Sequence, residues 1–344
     1  MSFSVANNTC HASPRKGTRT GAGYFKAGFV TKFAKPALSF SEQLAKLQKR
    51  GLQVHDAAAA GRFLQNVSYY RLSGYTRAFY VRGANDIETE PHVFKPNVRF
   101  AEVIALYEFD RRLRLLVLAA IDRIEVAFRT VCTNYLCKVH GNQWFENADL
   151  FFPSFKHEQF LKELGDSICI EAKTGRRREQ FLDHYYQKYT SPDLPPGWML
   201  AEIWSLGTWS KIYANLADIR DRKAIAKEFG WSHILIESWA HSLAFLRNCC
   251  AHHSRIWNRT FTIRPTVPTE LSKVIWKDTS FAAQAMVIHA VLSKKMPELC
   301  WPRSFMNLLS EHPNVQAPVM GFVFRWYRDP FWNLEPSVEN GLGI

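Results

Sequence analysis

Apolar positions recur at three- and four-residue intervals along most of the chain, the spacing that lines side chains on one face of an α-helix. The longest such run predicts a helix from about Phe100 to Val139, with Leu106, Phe109, Leu113, Leu116, Ala120, Ile124, Ala127 and Val131 on its buried stripe. On another face, beside Asp122, Glu125 and Arg129 stand in the favoured i,i+4 order and are expected to form a solvated ion pair. Before this helix, Ser39 and Glu42 make a capping box for one that carries Leu44 and Leu47 and stops at Gly51. Asp56 caps a second, from Ala57 to about Val67.

After it, helices are expected from about Lys156 to Ile170, around Phe181, Tyr185 and Tyr189, and from Trp198 to Glu202, with a bend at Gly207. Another runs from Asp218 to Phe229 and ends at Gly230, and Ser232 caps the helix through Trp239, Leu243 and Leu246. The alternating run Phe261 to Val267 is interrupted by Pro265 and followed by Pro268; helices follow at about Ser280 to Ser293 and Ser304 to Leu309. The tail from Met320 to Trp332 has too many large aromatics to hang free and should dock on the body.

This pattern predicts an all-α fold without internal repeats. Four segments divide it: a basic arm over 1–35, a helical entry region over 36–97, a central core over 98–262, and a C-terminal helical region over 263–344 packed on that core. The arm holds Arg15, Lys16, Arg19, Lys26, Lys32 and Lys35 and no acidic residue, and is expected to be disordered. No window approaches the roughly 20 uninterrupted apolar residues of a membrane span, so no membrane partner is expected.

Charge narrows the range of partners. Forty-four Lys and Arg against 31 Asp and Glu give +13, a surface field that attracts RNA, DNA or an anionic membrane. Seven scattered cysteines without a CxxC spacing read as reduced thiols in a cytoplasmic protein. The vicinal Cys249 and Cys250 point about 100° apart on a helix and share one tetrahedral ion with difficulty, so no metal or other cofactor is expected.

The chemistry concentrates in Arg247-Asn248-Cys249-Cys250-Ala251-His252-His253-Ser254-Arg255, with Trp257, Asn258 and Arg259 behind it. Histidine exchanges a proton near neutral pH, arginine keeps its charge, and asparagine both donates and accepts. On a continuing helix Asn248 and His252, four apart, are neighbours. The same Arg and His could instead satisfy carbonyls at a helix end. Candidate RNA contacts are His253, Arg255, Trp257, Asn258 and Arg259, the aromatic and basic segment with Arg71, Tyr75 and Arg77, and the run Arg176-Arg177-Arg178. The last two sets have plainer readings as core packing and as a solvated turn.

Arg247 to His252 matches the R-x4-6-H pattern, with a polar residue after the Arg, of HEPN-superfamily ribonucleases. The chain resembles the Abi-like abortive-infection branch of that superfamily in seven blocks falling in family order, among them Tyr70 to Tyr75, Leu106 to Arg111, Trp198 to Gly207, His252 to Arg259 and Pro330 to Trp332. The resemblance implies a HEPN-type helical bundle with an N-terminal helical extension and a C-terminal helical and irregular region. It also implies a metal-independent endoribonuclease of phage defence or of a toxin–antitoxin pair, bound or controlled by a noncoding RNA. Two modules would pool Arg247, Asn248 and His252 in one site, and the partner implied is a second copy of this chain, a homodimer. An inactive HEPN fold that only binds RNA is the rival expectation, and a zinc hydrolase using His252, His253 and the cysteines is a third.

Overall fold

Twelve α-helices carry most of the residues described by the computed structural model, which are 36–83, 92–171 and 174–334. They are α1 (Phe40–Lys49), α2 (Ala57–Val67), α3 (Tyr69–Thr76), α4 (Phe100–His140), α5 (His157–Ile168), α6 (Gln180–Lys188), α7 (Gly197–Leu200), α8 (Leu206–Asn215), α9 (Ile219–Lys227), α10 (His233–Ala251), α11 (Phe281–Lys295) and α12 (Trp301–Ser310). Extended pairings among the described residues are isolated bridges, such as Gln53 with Arg99, and the fold is all-α. The basic arm of the first 35 residues lies outside the described residues.

The axis is α4, 41 residues and about 60 Å long. Because α3, α8, α9, α10, α11 and α12 all pack on it, its buried arc is wider than one stripe. Val117, Ile121, Phe128, Cys132 and Leu136 are buried along with Leu106, Phe109, Leu113, Ala120 and Ile124, whereas Leu116, Ala127 and Val131 are half-buried. The expected Glu125–Arg129 pair does not form. Arg129 instead meets Glu202 at 3.0 Å, and Glu125 turns toward α8 and α10.

Two expected caps recur in the structure, where Asp56 Oδ1 accepts the Ala59 N–H and Ser232 Oγ that of Leu235. Asp218, read only as the start of a helix, caps α9 by accepting the Arg220 N–H. Gly207 makes no bend, since it sits in the first turn of α8. Two side chains satisfy that turn's donors: Ser205 Oγ accepts from the Thr208 N–H and Glu125 Oε1 from the Leu206 N–H. The reversal lies just upstream, between α7 and α8. At the start of α7, Gly197 allows a close approach, for a Cβ on it would stand 2.5 Å from Trp144 Nε1.

The C-terminal region supplies the centre of the molecule. Every residue of α11 from Phe281 to Leu292 is buried, including Gln284 and His289. Gln284 Oε1 accepts from Ser242 Oγ of α10 at 2.7 Å, and its amide donates to the Ile263 carbonyl. His289 Nε2 donates to the Phe331 carbonyl at 2.6 Å while its ring stacks on Trp332, so the aromatic tail docks as expected. The run from Phe261 to Val267 forms neither helix nor strand.

Candidate active site

A buried carboxylate organises the segment that follows α10. Asp110 of α4 is fully buried, and its Oδ1 accepts the backbone N–H groups of Ile256 at 3.1 Å and Trp257 at 2.6 Å. Oδ2 accepts the Tyr75 hydroxyl at 2.6 Å and the Arg114 guanidinium. Four donors around one anion offset its desolvation, and burial with Asp110 as neighbour pushes the Tyr75 hydroxyl well above its ordinary pKa. The loop from His252 to Asn258 is thereby pinned to α3 and α4 together. Arg71 adds a second tie, donating from Nη1 to the His253 carbonyl at 2.6 Å.

The helix ends one residue before His252, earlier than a continuous helix would. His252 is the C-cap, its N–H bonded to the Asn248 carbonyl, and His253 takes a left-handed φ of 57°. The His253 N–H reaches the Cys250 carbonyl and the Ser254 N–H the Cys249 carbonyl, a Schellman ending in which His253 occupies the position usually held by glycine. Asn248, His252 and His253 are exposed together at this end of α10.

Arg247, 39% exposed at its side chain, is held on two sides. Its Nε lies 3.8 Å from Glu125 Oε2, and its Nη1 donates to Asn248 Oδ1 at 3.3 Å. Glu125 is itself fixed by the Leu206 N–H at 2.9 Å. Arg247 Nη2 makes no hydrogen bond among the described residues. No side-chain hydrogen bond among the described residues joins Arg247 to His252 within one chain; the backbone of Asn248 links them.

The other predicted residues divide by what surrounds them. Tyr75 and Trp257 are buried and leave no open ring face for a base. Arg255 lies against Gly74 of α3 and 6.0 Å from the Trp257 ring centroid; burial lowers its pKa from the ordinary value, though a guanidinium stays charged. Arg259 donates to the Arg255 carbonyl and lies near the rings of Phe245 and Phe261. Asn258 and Arg77 are exposed. In the basic turn, Arg177 folds onto Tyr186 at 3.9 Å and pairs with Asp183, Arg178 faces Glu171 at 3.8 Å, and Arg176 is exposed. Cys249 and Cys250 are buried packing thiols, with Cys250 pushed up to about 12 by burial.

The chain belongs to the Abi-like protein family, whose profile matches residues 62–258. That segment starts inside α2 and ends with the loop that Asp110 holds, so it contains the whole constellation. No curated protein and no solved structure matches the chain. Among the described residues no helix is long and apolar enough to cross a membrane.

Sequence reasoning missed Asp110 and Glu125. Asp110 stood in a resembling block, Leu106 to Arg111, but its partners are Tyr75, thirty-five residues upstream, and Trp257, 147 downstream. Glu125 stood in another resembling block, with Ile124, and the i,i+4 rule assigned it to Arg129.

Proposed function

We propose that this chain is a metal-independent endoribonuclease of the HEPN type, acting in abortive infection through a site shared between two copies. Membership in the Abi-like family supports the abortive-infection role. The observation that carries the chemistry is Arg247, flanked by Glu125 and Asn248 with its Nη2 left unbonded among the described residues, five residues before the exposed His252 on the same helix end. A neutral His252 takes the proton of a ribose 2′-hydroxyl, whose oxygen attacks the adjacent phosphorus. The partner's His252 protonates the departing 5′-oxygen, leaving a 2′,3′-cyclic phosphate and a 5′-hydroxyl. Arg247 from each copy neutralises the charge that builds on the phosphorane, and Asn248 orients the phosphate. Arg255, Arg259 and Arg176 supply positive charge for the RNA backbone, and His253 a hydrogen-bonding ring. A noncoding RNA held on the same basic surface would control access to the site.

The test is incubation of the purified protein with chelator, on RNA and on matched DNA. RNA is cut and DNA survives, because the attack needs the 2′-hydroxyl, and His252→Ala and Arg247→Ala abolish cutting. Equal inertness of wild type and His252→Ala, after removal of any co-purifying RNA, sinks the nuclease and leaves a protein that only binds RNA.

A further inference from the structure

A cavity of about 620 Å³ opens beside the far end of the His252 loop, walled by the N-terminal turns of α4, the loop after α12, and Trp257 with Asn258. Its size is that of a small-ligand site. Its lining is specific in kind. Asn258, Asn314 and Gln316 present three exposed amides that carry no side-chain hydrogen bond among the described residues. An amide sets a donor beside an acceptor, the pattern that pairs with the edge of a nucleobase.

Two flat rings complete the walls, Phe79 and His312. His312 is fixed edge-on to Phe109 at 5.5 Å between centroids, and Arg112 Nη1 lies 3.4 Å from its Nε2. The carboxylates at the rim are already answered, Glu102 by Arg99 at 3.6 Å and Glu311 by Arg112. Two exposed cations, Lys95 and Arg82, line the cavity, and Lys95 offers a charge for a phosphate. Aromatic faces, free amides and a cation are the means by which proteins read an unpaired nucleotide, whose base is free to be stacked and hydrogen-bonded. Asn258 follows His252 by six residues, so a fully extended chain places the two at most about 20 Å apart. A strand of RNA at His252 reaches the cavity.

We infer that this cavity binds one unpaired nucleotide of the RNA, with Asn258, Asn314 and Gln316 reading the base and Lys95 holding a phosphate. This deepens the nuclease reading, on which it rests for its ligand, by assigning the site a base preference. The mechanism at His252 is blind to the base, and the cavity supplies the discrimination.

The experiment is calorimetric titration of the full chain with AMP, GMP, CMP and UMP. One of the four should bind at least about tenfold more tightly than the weakest, the discrimination a bidentate amide contact gives. Asn258→Gly suits the left-handed φ of 44° at this position and so removes the amide without strain. It and the exposed Gln316→Ala should each weaken binding severalfold while leaving the melting temperature in place. Absence of binding at millimolar concentrations, or equal binding of all four that neither variant weakens, overturns the inference. Preferential binding by a protein that leaves RNA uncut would sink the nuclease reading and leave the cavity standing; cutting of RNA without nucleotide binding does the reverse.

Discussion

Asp110 accepts the backbone N–H of Trp257 at 2.6 Å, across 147 residues of chain, and the same carboxylate holds Tyr75 and Arg114. Replacing it by asparagine removes the charge and turns an amide N–H toward donors. Asp110→Asn should cost about 3–5 kcal/mol, the range for removing one partner of a buried ion pair. Urea denaturation measures this. RNA cleavage should fall by more than the folded fraction accounts for, because the loop bearing His253 is released.

Glu125→Gln separates two roles of one side chain. The glutamine oxygen still accepts the Leu206 N–H, so the start of α8 is kept, while the pairing with Arg247 is lost. Arg247 is partly exposed, and the stability change should stay at or below about 1 kcal/mol. On the proposed chemistry, kcat should drop about tenfold with KM little changed, since a wandering guanidinium costs mainly transition-state stabilisation. An unchanged kcat in single-turnover assays would remove Glu125 from the site.

Burial holds His289 below its ordinary pKa, opposed in part by its bond to the Phe331 carbonyl, and burial acts in the same direction on His312. Below about pH 6.5 the unfolded chain therefore binds more protons than the folded one. Stability from these groups is complete above that pH and is lost as the pH falls through it. Urea midpoints at about pH 7.5 and 5.5 should show the loss, and His289→Gln, which keeps a donor for Phe331, should reduce it.

His253 occupies a left-handed conformation at the end of α10. A side chain there costs about 1 kcal/mol that glycine does not. His253→Gly should raise stability by that amount in urea denaturation, and on the proposed function it should weaken RNA binding as measured by filter retention. The two effects have opposite signs, which separates a functional histidine from a helix stop.

Much of the fold was legible. α2, α4 and α10 follow from local rules, a cap, a period of apolar residues and a stop, and those rules act over a few residues. The polar cluster on α10 was legible for the same reason, since Arg247, Asn248 and His252 are close in sequence. What holds the cluster was not. The ties from Asp110 to Tyr75 and Trp257, and from Glu125 to Arg247, join distant segments, and a single sequence carries no record of such pairs. Glu125 and Arg129 even satisfied a local rule, yet Glu125 capped α8 and Arg129 took Glu202, because Leu206 presents an N–H that needs an acceptor.

The burial of α11 on every side bears on how this protein can be cut. The family segment ends at Asn258, before α11 begins, yet α10 rests on that helix through Ser242 and Gln284. A truncation at the family boundary would strip the inner surfaces of α4 and α10 and leave Gln284's partner Ser242 facing water. The family segment is a unit of descent, and the unit of folding in this chain reaches to Trp332.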